Sequence, residues 1–196
     1  MNTKFRWIVM ILIAVVISTL YRVMTRDKNI SSDSPLKEYT FFESTLKIQV
    51  PFELTEKLID SPNPQMVEKA WDANYESKNG FFMALCYKLN PGVKLITMDK
   101  GVELMLKSFD KSRDTHSSIE SQDSIVINNI HFKRFIGVQK YNYSDPINKK
   151  ENFNFEALTT CNSKYGYMIY FDENINTADA QILKGKIFNS LIINTL

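Results

Sequence analysis

The sequence predicts an α+β domain built on an antiparallel sheet, preceded by an N-terminal transmembrane helix. Three observations predict it. Runs of strand-period alternation recur, as at Leu46, Ile48 and Val50. Asn79-Gly80 separates two runs rich in aromatic and apolar residues, a hairpin signal that implies antiparallel pairing. Beyond the leader, helical spacing is clear in only two places, around Val102–Phe109 and Ala180–Leu191.

The leader is the stretch Trp7–Tyr21, which carries no charge and only Ser18 and Thr19 as polar residues. Lys4 and Arg6 precede it; Arg22, Arg26 and Lys28 follow. A membrane span needs about 20 apolar residues. Residues 7–24 approach that length if Arg22 snorkels to the interface. A signal peptide is the competing reading, since its apolar region runs about 7–15 residues. No A-x-A site follows, and Val16-Ile-Ser18 is the best cleavage candidate, so residues 1–26 are expected to be an uncleaved membrane anchor. No nearby cysteine makes a lipobox. Lys4, Arg6 and the amino terminus favour an N-in, C-out orientation, although the C-terminal flank carries one more base.

Residues 27–35 (DKNISSDSP) form a polar linker, and the domain is expected over 36–196. Leu46–Val50 reads as a strand that Pro51 ends. Glu53–Asp60 suggests a short helical turn, and Ser61–Pro64 a loop. Residues 66–76 fit a helix through Val67, Ala70, Trp71, Asn74 and Tyr75, or a strand through Trp71, Ala73 and Tyr75. The Asn-Gly that follows favours a hairpin of 69–77 with 81–89, closed by Pro91-Gly92. Thr97 is the expected N-cap of a helix over 98–111, with Asp99 in its first turn and Lys107 and Lys111 near its end. Gly101 there costs about 1 kcal/mol relative to alanine. Ser118–Glu120 and Ile125–Ile127 read as strands, Asn128-Asn129 as a turn, and Ile130–Tyr141 as a long strand. On that strand Phe132, Arg134, Ile136 and Val138 share one face. Arg134 among them points to a stem lying along apolar surface. Residues 142–152 form a polar loop. Phe153–Cys161 is a strand, Ser163-Lys164 a turn, and Tyr165–Phe171 the last strand. Asn176 or Thr177 caps a C-terminal helix with Ala180, Leu183, Ile187 and Leu191 as its apolar stripe.

A chain of 196 residues suffices for one ordinary domain plus a leader. The net charge is +2, but residues 1–28 alone carry +4, so the remainder is −2. A nucleic-acid partner needs a basic face on the folded domain, and this distribution argues against one. Cys86 and Cys161 fit no metal spacing and no C-x-x-C pair. In an exported domain they could form a disulfide, or they are two small apolar strand residues. The chain has only two histidines, His116 and His131, and neither lies in a nucleophile or zinc motif. No glycine-rich phosphate loop exists. Asp172–Asn176 imitates the start of an EF-hand loop, but Thr177 and Leu183 occupy the positions that need glycine and bidentate glutamate. The nine tyrosines and thirteen phenylalanines fall mostly at alternating strand positions, as a sheet's core face requires. An uncovered aromatic face would instead suit a peptide or glycan. Lys149-Lys150 is too small a basic cluster to mark a partner. No catalytic, cofactor-binding or metal-ligating residue is assigned.

The order of elements resembles the PsbP-like superfamily. The resemblance rests on Lys47–Phe52, on the pattern from Ile125 through Asn128-Asn129 to Phe132, Arg134 and Gly137, and on Ala180–Leu191, which ends in Phe-Asn-Ser-Leu. It spans most of residues 40–192. Extrinsic photosystem II subunits, Mog-type Ran-binding proteins and small bacterial envelope proteins share this fold. The resemblance implies an antiparallel sheet flanked by helices in an α/β/α sandwich. It implies no catalytic set, no cofactor and no site residue, and nothing here indicates photosynthesis. Bacterial proteins of this fold are often exported or membrane-anchored. The expectation is therefore a single-pass membrane protein, held in lipid through residues 7–24, whose extracytoplasmic, non-enzymatic domain binds or stabilises another envelope component. The alternatives are a secreted accessory or effector protein after signal cleavage, or an enzyme whose site is assembled by folding, for instance around His131 with a carboxylate.

Overall fold

The alternating runs become two antiparallel sheets. The computed structural model describes residues 31–61, 63–77, 80–93, 98–141, 152–173 and 178–194. The predicted anchor, the start of the linker, the Asn79 turn position, the Thr97 cap, the 142–151 loop with Lys149-Lys150, and the Asn176 and Thr177 cap all lie outside the described residues. Among those described, no helix is long and apolar enough to cross a membrane.

The strands are β1 (Lys37–Phe41), β2 (Leu46–Val50), β3 (Glu56–Ile59), β4 (Val67–Ser77), β5 (Gly80–Leu89), β6 (Thr115–Ile127), β7 (Ile130–Tyr141), β8 (Phe153–Cys161), β9 (Tyr165–Glu173) and β10 (Ile192–Ile193). The helices are α1 (Asp99–Arg113) and α2 (Ala178–Asn189). A seven-stranded sheet runs in the order β3-β4-β5-β9-β8-β7-β6, and a three-stranded sheet in the order β1-β2-β10. Every pairing is antiparallel.

The hairpin prediction holds, with Trp71 opposite Cys86 and Ala73 opposite Ala84. Strand alternation divides the large sheet into two faces. On one, Met83, Leu85, Phe135, Phe155, Ala157, Met168 and Tyr170 form a core with Val102, Met105 and Leu106 of α1. Each of the larger aliphatic, methionine and phenylalanine side chains among them contributes about 1.5–3 kcal/mol when removed from water. Gly101 lets α1 lie close, because a Cβ there would stand 3.3 Å from the Met168 methyl. On the opposite face, Trp71 meets Phe42 of the small sheet's turn. The Lys184 ammonium of α2 pairs with the Glu156 carboxylate at 2.7 Å. Arg134, anomalous in sequence, belongs to this chain of charges. It pairs with Asp123 through Nε and Nη2, and its Nη1 lies 3.8 Å from Glu156. The helices thus cover both faces, and the three-stranded sheet shares the α2 layer.

Several expectations are corrected. Glu53–Asp60 contains a strand, β3, because the outer edge of β4 offers unpaired backbone groups; all four β3 residues are exposed, so no apolar period marked it. The two short strands at 118–127 are one 13-residue edge strand with a bulge between Ile119 and Ser121. Met98 is the N-cap residue of α1, without a side-chain cap bond, and the helix runs two residues further than expected to a left-handed Asp114. Tyr165–Phe171 is not the last strand, since β10 pairs with β2. Leu191 is fully buried but lies beyond the end of α2. Strand β1 had no expectation at all.

The polar stretch also makes contacts. The Ser32 N–H and hydroxyl both donate to the Asp179 carboxylate in the first turn of α2. The Lys186 ammonium donates to the Ser32 carbonyl at 2.6 Å. The chain from Ser31 onwards forms one compact unit.

Candidate functional site

A tight two-residue turn of left-handed residues starts the site. Asn128 and Asn129 have φ of 49° and 65°, which asparagine tolerates better than most residues, and they join β6 to β7. The Asn128 amide donates to the carbonyls of Asn189 and Leu191, tying this turn to the end of α2. That connection leads the chain into β10 and places Ile193 opposite Leu46. A cleft of about 320 Å³ opens between these parts, near the lower end of ordinary ligand pockets. Its apolar walls are Ile130 and Ile193, and its polar lining comes from Asn129, His131, Thr160, Cys161, Asn162 and Tyr167.

Tyr167 is the notable member of this set. It is fully buried, yet its hydroxyl completes no hydrogen bond. Burial pushes its phenol well above the ordinary tyrosine range, and the nearby Thr45 hydroxyl only partly opposes this. Thr45 donates its own proton to the Phe42 carbonyl at 2.7 Å. The Asn162 side-chain oxygen accepts the N–H groups of Lys164 and Tyr165, so its amino group remains as a donor. Among the described residues that line the cleft there is no carboxylate, lysine or arginine side chain.

A second unusual feature stands beside it. Phe42, Glu43 and Ser44 have consecutive φ of 58°, 58° and 66°, a left-handed turn built without glycine. Such residues cost about 1–2 kcal/mol each. The burial of Phe42 against Phe41 and Trp71, together with the Thr45 bond, holds the turn. Asn194 of the C-terminal segment also bonds it, through its N–H to the Thr45 carbonyl and its amide to Ser44. Glu43 is displayed at the tip, where it meets Lys69 at 3.1 Å and the Tyr165 hydroxyl at 3.0 Å. The Lys69 hydrogen bond holds the Glu43 carboxyl below its ordinary range, and burial pushes the Tyr165 phenol up to about 12.

The structure separates the residues considered in the sequence. His116 lies exposed on the edge strand β6, far along the chain pairing from His131, which is exposed at the cleft. Cys86 and Cys161 are both thiols. They stand on opposite faces of the sheet, with β9 between their strands, which rules out a bridge. Burial pushes both thiols up, away from the reactive thiolate. Asp172 is no exposed calcium ligand, because it is fully buried and accepts the Phe81 N–H at 2.7 Å and the Tyr170 hydroxyl at 3.1 Å. That carboxylate ends a polar chain running from the buried Tyr170 and Gln139 through half-buried Ser117 to Asp110 on α1. Among the described residues, no group of three or more His, Cys, Asp or Glu side chains is placed to hold a metal ion. The aromatic residues Tyr167, Tyr170, Phe82, Phe132 and Phe155 are core, as their alternation suggested.

Sequence reasoning missed Tyr167 as a site residue. Its alternation with Tyr165 and Ile169 is the same signal that marks any core aromatic.

No protein-family model matches the sequence, and no curated protein matches it either. A search of solved structures does find likeness. The solution structure of cyanobacterial PsbP (CyanoP) from Synechocystis sp. PCC 6803 aligns with a TM-score of 0.54 at 11% identity, covering 82% of this chain and 94% of that one. The fold of this chain is PsbP-like.

Proposed function

We propose that this PsbP-like chain is a membrane-anchored, extracytoplasmic, non-enzymatic protein whose domain binds or stabilises another envelope component. One observation carries the reading, the uncharged stretch Trp7–Tyr21 between basic flanks, with a polar stretch and then the folded domain behind it. The raised Cys86 and Cys161 thiols favour binding over thiol chemistry.

The test is topological. Membranes from cells making the full chain are washed at alkaline pH, and Glu103→Cys, an exposed site on α1, is probed in intact cells with a membrane-impermeant maleimide. Retention in the washed pellet together with labelling supports the reading; a shielded cysteine overturns its orientation. A second reading rests on the shortness of the 7–21 run, which is the length of a signal-peptide core. Cleavage after Ser18, seen by N-terminal sequencing, would establish a secreted protein instead.

A further inference from the structure

We propose that the outer edge of β3 is a docking site for an extended segment of a partner protein, one that alternates apolar and basic residues and adds to the large sheet as a further strand. The proposal rests on the reading of the domain as a binding module and names the chemistry of its partner.

Three observations converge on this edge. The first is that β3 ends the order of the seven-stranded sheet and presents all four of its side chains to solvent. Leu58 keeps 68% of its surface exposed, Ile59 37%, and Met66 of the segment leading into β4 39%. Apolar residues on a sheet edge make a template for strand addition unless a device blunts it. The opposite edge carries such a device, the β6 bulge between Ile119 and Ser121, whereas the four β3 pairs run in unbroken register. The second observation is that β3 is held in place at both ends. Glu56 at its start accepts the Phe42 N–H at 2.5 Å, and just past its end the Ser61 hydroxyl donates to the Val67 carbonyl at 3.0 Å. An incoming strand therefore meets a formed edge, and little ordering entropy is lost on this side.

The third observation is charge. Residues 53–78 hold six carboxylates against three lysines. Glu56 and Leu58 share the face of Ala73 and Trp71, and Asp60 follows in the same phase. Lys57, on the other face, has Asp72 opposite it on β4, so its charge is answered within the sheet. An added strand meets a carboxylate on either side of Leu58, and an apolar side chain flanked by basic ones complements that pattern. A second copy of this chain fits the edge poorly. Pairing β3 with itself about Lys57 sets two lysines opposite each other, and about Leu58 it sets Glu56 opposite Asp60.

The full chain in detergent micelles, with isotope-labelled backbone amides, is titrated with acetyl-Lys-Val-Val-Thr-Lys-amide. Running antiparallel to β3, this peptide sets its lysines opposite Asp60 and Glu56 and its valines opposite Ile59 and Leu58. The expected result is a saturable shift of the β3 amides. The same peptide with glutamate in place of both lysines should bind at least about tenfold more weakly. Leu58→Ala should weaken binding about tenfold, and Asp60→Asn should weaken it too, with the melting temperature unchanged because both positions are exposed. Two peptides methylated on alternate backbone nitrogens separate strand addition from simple charge attraction. One should lose binding and the other keep it, because only every second N–H of an edge-bound strand points at its neighbour. No saturable shift, an equal response to the two methylated peptides, or unchanged affinity in Leu58→Ala overturns the proposal. Shifts of the β3 amides that grow with protein concentration before peptide is added assign the edge to a second copy and overturn it as well. A shielded cysteine in the topology test leaves these shifts in place, so the two readings fail separately.

Discussion

Gly137 shows how tightly one position can be set. It lies on β7, on the face that carries Phe135, where Phe155 of β8 crosses over it. A Cβ at this position would stand 2.1 Å from the Ser118 carbonyl oxygen and 2.6 Å from the Phe155 ring. The ring could rotate, but the carbonyl belongs to the paired edge strand β6 and cannot yield without breaking the ladder. Gly137→Ala should therefore destabilise by about 3 kcal/mol, at the upper end of overpacking effects. Chemical denaturation should show a lower midpoint with an unchanged slope. Asp179 permits a test in which the sign follows from its environment. The Ser32 hydroxyl and N–H hold its carboxyl below the ordinary aspartate range, against the opposing effect of burial. A lowered folded value means that the clasp contributes above the unfolded aspartate value and is lost as pH falls through the folded value. The Ser32 amide resonance should titrate with a midpoint below about 3.9, and Asp179→Asn should abolish that titration. A midpoint at or above the ordinary value would contradict the contact.

At the scale of elements, the charges beneath α2 govern how the helix is seated. Glu156 is nearly buried, with a side chain 9% exposed, and Lys184 is only slightly more open at 15%. Removing one partner strands the other charge in a poorly hydrated place, which typically costs about 3–5 kcal/mol. Glu156→Ala should lose stability near the low end of that range, because Arg134 also loses a neighbour but keeps Asp123. The double change Glu156→Leu with Lys184→Leu should recover most of the loss, as thermal melts of the single and double variants would show. The turn at Asn128 gives a second test. Asn128→Ala forces a left-handed alanine and deletes both bonds to the end of α2, so it should cost about 2 kcal/mol. Asn129→Gly should be neutral or slightly stabilising by the same measurement. These elements also show what the sequence could convey. Strands β5, β8 and β9 were legible from their dense apolar and aromatic runs, covered on both faces, and β4 only through the Asn79-Gly80 signal that follows it, since its own pattern also fits a helix. Strands β1, β3 and most of β6 were not, because their side chains are exposed and only the backbone pairs. The Phe42–Ser44 turn was hidden for another reason, as it contains none of the residues that ordinarily announce a left-handed conformation. The cleft was illegible because its lining comes from four separate stretches of chain, and Tyr167 carries no mark distinguishing it from its core neighbours.

For the whole molecule, the decisive question is where the independently folding part begins. Composition places the linker over 27–35 and the domain from Leu36, since serine, asparagine and proline usually mark a segment without partners. The contacts add a reason to begin earlier. Ser32 is almost fully buried, its N–H and hydroxyl are held by Asp179, and its carbonyl is held by Lys186, on α2 some 150 residues away in sequence. A chain starting at Ser31 retains this clasp, and one starting at Leu36 loses it. The first should be soluble and melt cooperatively at a single temperature. The second should melt several degrees lower, with faster amide exchange confined to α2, whose first-turn Asp179 and last-turn Lys186 both lose partners. The small sheet gives the comparison its control, since β1 begins at Lys37 and pairs with β2 in both chains. Its exchange rates should be the same in the two. If the shorter chain melts at the same temperature with an unchanged α2, Ser32 is a passive part of the tether. If the small sheet also opens, the five added residues hold the whole layer containing α2 rather than that helix alone.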